Sequence, residues 1–437
     1  MIRLLHFSDI HFKHPECLDL DTDPNTSIRD KLSSDIQEHC SKDGKNVDAI
    51  LITGDIAFAG KQEEYEVAAN WIDDLCSQTG CRKQNVYVVP GNHDVDRQAA
   101  DGVVVDALRR QLSEIKSKTD RDSQFCKFLS DTSAGNSILH PMQNYNTFAA
   151  RYDCGISPEN THWNQKIKIS EDIELNLRGI TTTLFSSSKD NTGKLIVDRR
   201  QTSFRQEPGQ IYLSMMHHPC DWLIDSDDIK DQLDNHIQIQ LFGHKHRSRW
   251  DSSDNCIRVS AISLHPDRGE AGYEPGYNIM DLKQKTIKDN KALIDVKVIV
   301  RVLQSSPMQF ISKRFGDNDF ILKTFSVTKS FKSKASDFKA SQEIDSSFPP
   351  QDVDDILKDI TDLKKIEPKA TLNLKELSYS FYKLSGSDKR DILNTLDLLT
   401  NDEWELPEVE RQKVAFNRAV DNNSLQLIHD SIIKKVK

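Results

Sequence analysis

Long apolar runs are missing: nothing in the chain approaches the roughly 18 to 20 consecutive apolar residues that cross a bilayer, so no membrane partner is expected. A leader is not expected either. Met1 to Phe12 begins with Arg3 and two leucines, but His6, Ser8, Asp9 and His11 break the run too early for a secretion signal, and a first β-strand in a cytoplasmic protein is the better reading. Clustered cysteines are also missing. Cys17, Cys40, Cys76, Cys81, Cys126, Cys154, Cys220 and Cys256 form no C-x-x-C or other close spacing, which favours reduced thiols over a disulfide frame. Basic charge is short: 58 Lys and Arg stand against 68 Asp and Glu, a net charge of −10, so any contact with a phosphate backbone must be local. The hydrophobic share, 37%, still exceeds that of disordered chains, and 437 residues make about two to three domains.

What is present is organised as α/β. Ile2 to Phe7, Ala49 to Thr53, Val86 to Val89, Ile211 to Met216 and Ile237 to Phe242 read as buried strands, each followed at once by polar residues. Between the second and third, Tyr65, Ala68, Ala69, Ile72, Leu75 and Cys76 fall at helical spacing. A helical insertion is expected over about 101–129, and strands over 167–185 and 257–302. Beyond Leu303 the segment 305–341 carries seven Lys or Arg against three Asp or Glu, with many serines, and reads as a linker or loosely ordered extension closed by Pro349-Pro350. Helical stripes follow: Val353 to Leu363, Leu374 to Leu384, Ile392 to Leu399 with Ser387 as N-cap, Pro407 to Val420, and Leu425 to Val436. The expected domains are thus 1–303, a basic, serine-rich linker or extension 304–350 and a helical unit 351–437.

The chemistry sits at the strand ends. Asp9-Ile10-His11 leaves the first strand, and on extended backbone residues two apart point the same way, so the two side chains should converge. Gly54-Asp55 leaves the second, Gly91-Asn92-His93-Asp94 the third, His217-His218-Pro219 the fourth and Gly243-His244-Lys245-His246 the fifth. The first two motifs are weak alone, and a lone histidine is more often a core or surface residue than a ligand, whereas Gly91-Asn92-His93-Asp94 is a far less probable sequence. Five in order supply the mixed oxygen and nitrogen donors that borderline divalent cations accept.

In these residues the chain resembles the calcineurin-like metallophosphoesterases, whose pattern D-x-H, G-D, G-N-H-D/E, H and G-H-x-H is matched in order over about residues 1–303. The resemblance implies a four-layer αββα sandwich with two divalent metal ions, manganese first, with iron, zinc or nickel as alternatives. It assigns Asp9, His11 and His246 to one metal, Asn92, His217 and His244 to the other, and Asp55 to the bridge. His93 would stand over the substrate phosphate as the catalytic non-ligand. Asp94 is expected to cap its turn or orient an imidazole. The residue before a residue preceding proline selects His217 over His218 as ligand, with His218 lining the site. Two cations about 3.5 to 4 Å apart would neutralise a phosphodiester and lower the pKa of a bound water.

Substrate class is less determined. Phe58 stands where purple acid phosphatases carry a tyrosine ligand, which argues against that variant; the motif surroundings look most like the bacterial branch near cyclic-AMP phosphodiesterases, whose multidomain members accompany phage-defence systems. Lys245 and Arg247, with Arg249, follow a ligand strand, and Arg199, Arg200 and Arg205 precede another; both clusters suit phosphate steering of a nucleotide or nucleic acid, or are solvated charge. The C-terminal helices, through Phe416-Asn417-Arg418-Ala419 and Leu425 to His429, resemble the small effector-associated adaptor domains of bacterial conflict systems, implying a helical adaptor or defence-system partner at 351–437. The expected function is a metal-dependent phosphodiesterase or nuclease; the alternative is a metal-binding scaffold whose C-terminal helices do the docking.

Overall fold

The computed structural model describes residues 1–265, 274–288, 291–328 and most of 374–436, in two compact units, Met1–Ser330 and Phe331–Lys437. The first unit stacks two mixed sheets. One has the strand order β12-β11-β10-β1-β2-β3, with β13 also on β11: β1 Ile2–Phe7, β2 Ala49–Ile52, β3 Val86–Val88, β10 Gly276–Lys288, β11 Lys291–Ser305, β12 Met308–Ser312 and β13 Ile321–Thr328. The other runs β4-β5-β6-β7-β9-β8: β4 His162–Lys168, β5 Glu174–Ile180, β6 Gln210–Met216, β7 Ile239–Phe242, β8 Arg249–Ser252 and β9 Ile257–Ser260.

Side-chain alternation explains the layering. In β6, Ile211, Leu213 and Met215 enter the core between the sheets, while Tyr212 and Met216 pack on the far side with Ile229 and Leu233 of the helix Ser226–His236. Thr26–Asp43 and Gln62–Thr79 send Ile28, Leu32, Ile36, Ala68, Ala69 and Ile72 into the core at helical spacing. The four-layer αββα sandwich is therefore present. The insertion expected over about 101–129 forms two helices, Val103–Glu114 and Lys118–Ser130, and the helical region continues beyond it in Thr132–Leu139 and Gln143–Ala149.

Strands β1, β2 and β3 run parallel, as do β5, β6, β7 and β9. Parallel neighbours end at the same sheet edge, so the loops after β1, β2, β3, β6 and β7 are gathered there.

The sheet continues past the expected domain end at 303. β12 and β13 both pair with β11, with Val302 opposite Ile311 and Ile294 opposite Phe325, so 308–328 belongs to the sandwich and not to a linker. The linker composition comes mostly from outside the strands, with Lys313 and Arg314 between them and Lys329, Lys332, Lys334 and Lys339 after them in sequence, whereas Phe310, Ile321, Phe325 and Val327 within them are buried. The remainder of that linker, Pro349-Pro350 and the stripe Val353 to Leu363 lie outside the described residues.

The second unit has its own core. Helices Leu374–Tyr382, Gly386–Thr395, Glu408–Asp421 and Leu425–Val436 bury Leu377, Phe381, Ile392, Phe416, Ile428 and Ile432 against one another. Ser387 lies inside the first turn of its helix, which begins at Gly386, so it is not the N-cap. Among the described residues no helix is long and apolar enough to cross a membrane.

Candidate metal centre and its family

All five motifs meet at one edge, and three of them do so on left-handed rather than extended backbone. Asp9, His11, Asp55, His244 and His246 adopt φ of 54°, 52°, 54°, 67° and 52°, five of the seven non-glycine residues with positive φ among those described. The left-handed conformation is unfavourable for residues with a Cβ and is characteristic of functional sites held by their surroundings. Here the surroundings are identifiable: Asp9 N–H donates to the Gly54 carbonyl (3.0 Å), and Ile10 and His11 N–H both donate to the Asp55 carbonyl (2.9 and 3.0 Å), so the first two motifs hold each other in place. The expected convergence of Asp9 with His11 is therefore produced by paired left-handed turns rather than by a strand's two-residue repeat.

Glycine is required where these loops touch. Gly54 has φ +91°, and a Cβ there would lie 2.6 Å from Gly91 N and 2.7 Å from His217 Nδ1. A Cβ at Gly91 would collide with the Asp55 carboxylate.

The donors form two linked halves. In the first, His246 Nε2 lies 3.2 Å from Asp9 Oδ1, and Asp9, His11 and His246 present ligand atoms within 4.8 Å of one another. In the second, Asn92 Oδ1 lies 3.1 Å from both His217 Nε2 and His244 Nδ1. Asp55 joins them, with Oδ2 3.3 Å from His217 Nε2 and 4.0 Å from His11 Nε2. Asp9 and Asp55 are buried, and the ion pairs they make are with imidazoles. Burial opposes the ionisation of both, yet His246 holds the Asp9 carboxyl, and His217 the Asp55 carboxyl, below the usual carboxylate range. Burial likewise opposes a charge on His217, but the Asp55 carboxylate outweighs it and raises that imidazole to about 9. Two buried carboxylates, an amide oxygen and imidazoles whose nitrogens face one another suit a pair of divalent cations in donor type and in charge.

The neighbours orient these groups. His217 Nδ1–H donates to the Thr53 carbonyl at 2.7 Å, leaving Nε2 toward Asp55. His218 is anchored differently, with Nδ1 2.9 Å from Thr182 Oγ1 and a buried Nε2 that shares a possible ligand group with His217 and His244. His93 lies beside His11, ring centroids 4.7 Å apart; its Nδ1–H donates to the Phe58 carbonyl at 2.7 Å and Arg97 Nη2 is 3.3 Å from its Nε2. Asp94 accepts from the N–H groups of Gly91 (2.9 Å), Ile56 (3.1 Å) and Ala57 (2.9 Å) and from the Tyr65 hydroxyl (3.0 Å), the turn-capping role expected of it. Burial, reinforced by Asp55, pushes its carboxyl up to about 7.

The basic clusters are less available than their sequence suggests. Lys245 Nζ is 2.6 Å from Asp221, and Arg200 is tied to Asp198 at 2.7 Å and to the Glu159 and Pro158 carbonyls. Arg247 is exposed. The sequence reading missed Thr53, Thr182, Arg97 and Trp222 as neighbours of the centre. Arg97 stands close to a motif in sequence, three residues after Asp94.

Residues 2–248, more than half of the chain, match the family model of the calcineurin-like phosphoesterases. The chain belongs to that family. As a member of the calcineurin-like phosphoesterases it is similar to the uncharacterized metallophosphoesterase-like protein YydB of Bacillus subtilis, 25% identical over 278 residues, which are 60% of this chain and 52% of the relative. The chain thus spans about half the length of that relative. Among solved structures, GAP50 of the Plasmodium inner membrane complex is 11% identical with a TM-score of 0.37, covering 76% of this chain and 90% of its own. The purple acid phosphatase PPD1 from yellow lupin also gives 11% and 0.37, covering 78% and 57%. Residues 373–434 match the model of the GTPase-associated adaptor domain, in agreement with the adaptor resemblance of the C-terminal helices.

Proposed function

We propose that the protein is a cytoplasmic phosphodiesterase that uses two divalent metal ions, manganese first, to hydrolyse a nucleotide or nucleic acid, and that it serves as an effector in bacterial defence. The observation that carries the reading is the convergence of all seven expected ligands around the buried Asp9 and Asp55. Asp9, His11 and His246 would hold one cation and Asn92, His217 and His244 the other, with Asp55 between them. When bound, the cations supply charge neutralisation of the phosphate and activation of water at neutral pH. The chain supplies the rest. Thr53 fixes the ring of His217 through Nδ1, and Phe58 does the same for His93, so the nitrogen that exchanges a proton with a substrate oxygen is His93 Nε2. Arg97, 3.3 Å from that atom, places positive charge where the leaving oxygen becomes negative. Arg247 and His218 would line the approach; Lys245 could join them only by leaving Asp221.

The adaptor match supports a docking role for the C-terminal helices, with a helical partner of the defence system as the ligand. Purified protein supplied with Mn²⁺ is expected to hydrolyse bis-p-nitrophenyl phosphate, and Asp55→Ala and His93→Ala to abolish turnover. Undiminished activity in both variants would refute the assignment.

A further inference from the structure

Two aromatic rings border the centre from opposite halves, and neither belongs to the ligand set. Phe58 lies 5.2 Å from the ring of His93 and 6.1 Å from that of His11. Trp222 lies 4.2 Å from the ring of His244, at 83°, and 5.5 Å from that of His218. His93 and His11 follow β3 and β1 of one sheet, His244 and His218 follow β7 and β6 of the other. One aromatic ring thus borders the donors carried by each sheet.

Both rings are held by their backbones while keeping accessible surface. Phe58 is 40% exposed, unusual for so large an apolar side chain, although its N–H donates to the Phe12 carbonyl and its own carbonyl receives His93. Lys13 Nζ stands 5.4 Å from its ring centroid. Trp222 is half-buried; its N–H donates to the Pro219 carbonyl and its carbonyl accepts from both Lys194 and Leu195 at 3.0 Å. Rigid, accessible rings beside a phosphate site are what nucleobases stack upon, and such stacking is tolerant of base identity.

We propose that Phe58 and Trp222 are base platforms, and that the substrate is a single-stranded di- or oligonucleotide cut at a phosphodiester flanked by a base on each side. This rests on the phosphodiesterase reading above and narrows it. A mononucleotide or a cyclic mononucleotide has one base and would leave one ring unused. In a duplex the bases are already stacked on one another, and a chain with net charge −10 offers little to hold its second strand.

The test compares a deoxyadenosine dinucleotide with the same diester carrying tetrahydrofuran in place of each nucleoside's base-bearing sugar. Both are assayed on the Mn²⁺-loaded full chain and on Phe58→Leu, Trp222→Leu and Trp222→Phe, with metal content measured in each. Wild type is expected to prefer the dinucleotide in kcat/KM, each leucine variant to lower that preference about tenfold, chiefly through KM, and Trp222→Phe to keep most of it. The proposal is overturned if the preference survives both leucine substitutions, if only one ring matters, or if a leucine variant loses both substrates in parallel with its metal. A wild-type enzyme that cuts the base-free diester as well as the dinucleotide defeats the platforms while leaving the phosphodiesterase reading intact. One that cuts no diester defeats that reading itself.

Discussion

His217 Nδ1–H donates a hydrogen bond to the carbonyl of Thr53, 2.7 Å away across the two sheets, and this single bond decides which ring nitrogen faces Asp55. The neighbouring His218 is turned the other way by Thr182. His217→Ala is therefore expected to lose one equivalent of bound metal and nearly all turnover, whereas His218→Ala retains both metals with a smaller loss. Metal content by plasma mass spectrometry, read beside kcat, checks the distinction. Equal metal loss in both variants would contradict the distinction, and greater loss in His218→Ala would reverse the assignment made from the position of Pro219.

Gly91→Ala should be far more damaging than its size suggests. The added Cβ collides with the Asp55 carboxylate, so either the loop shifts or Asp55 leaves its place between the two halves. A loss of about 1–3 kcal/mol of stability is expected, as for overpacking elsewhere, together with at least a hundredfold fall in turnover. Urea titration and bis-p-nitrophenyl phosphate assays of the same preparation measure the two effects.

In the C-terminal unit, Phe416 is buried and meets Phe381 edge-on at 5.2 Å, so it serves the bundle core rather than an exposed recognition face. Phe416→Ala should cost about 3–5 kcal/mol and unfold these helices. Because that core is separate from the sandwich core, hydrogen exchange should rise over 386–436 while phosphodiesterase activity persists. The same logic predicts that a chain ending near Ser341 keeps small-substrate activity and loses a helical partner. Loss of metal from the shortened chain would place the helices in the catalytic fold.

The Glu403–Arg418 pair gives the same unit an acid limit. Arg418, 2.7 Å away, and the Thr400 backbone hold the Glu403 carboxyl at about 2, below its usual 4.5. A depressed carboxyl contributes stability that is fully present above the unfolded value and is lost as pH falls through the folded one. Protection over 386–436 should therefore decline between about pH 4.5 and 2, with the decline reduced in Glu403→Gln. Exposure of the pair keeps the contribution small.

The chemistry was legible in the sequence because each of Asp9-x-His11, Gly54-Asp55, Gly91-Asn92-His93-Asp94, His217-His218 and Gly243-His244-x-His246 follows a short strand rich in buried apolar residues. Parallel pairing then brings those ends together without further information. Two things were not legible. Edge strands β12 and β13 are short and stand among Lys313-Arg314 and the four lysines from Lys329 to Lys339, so the surrounding residues gave the whole stretch the composition of a linker. The left-handed backbone at Asp9, His11, Asp55, His244 and His246 is imposed by contacts between loops far apart in sequence, such as Asp9 with Gly54, and leaves no local pattern. Trp222 was hidden for the same reason, since only the packing of the His217 and His244 loops sets it against a ligand.

The central claim is a pair of cations bridged by Asp55, and anomalous diffraction from crystals of the Mn²⁺-loaded protein tests it most directly. Two manganese peaks are predicted, one among Asp9, His11 and His246 and one among Asn92, His217 and His244, with an Asp55 carboxylate oxygen bound to both. A single peak, or two peaks with Asp55 bound to neither, would contradict the account.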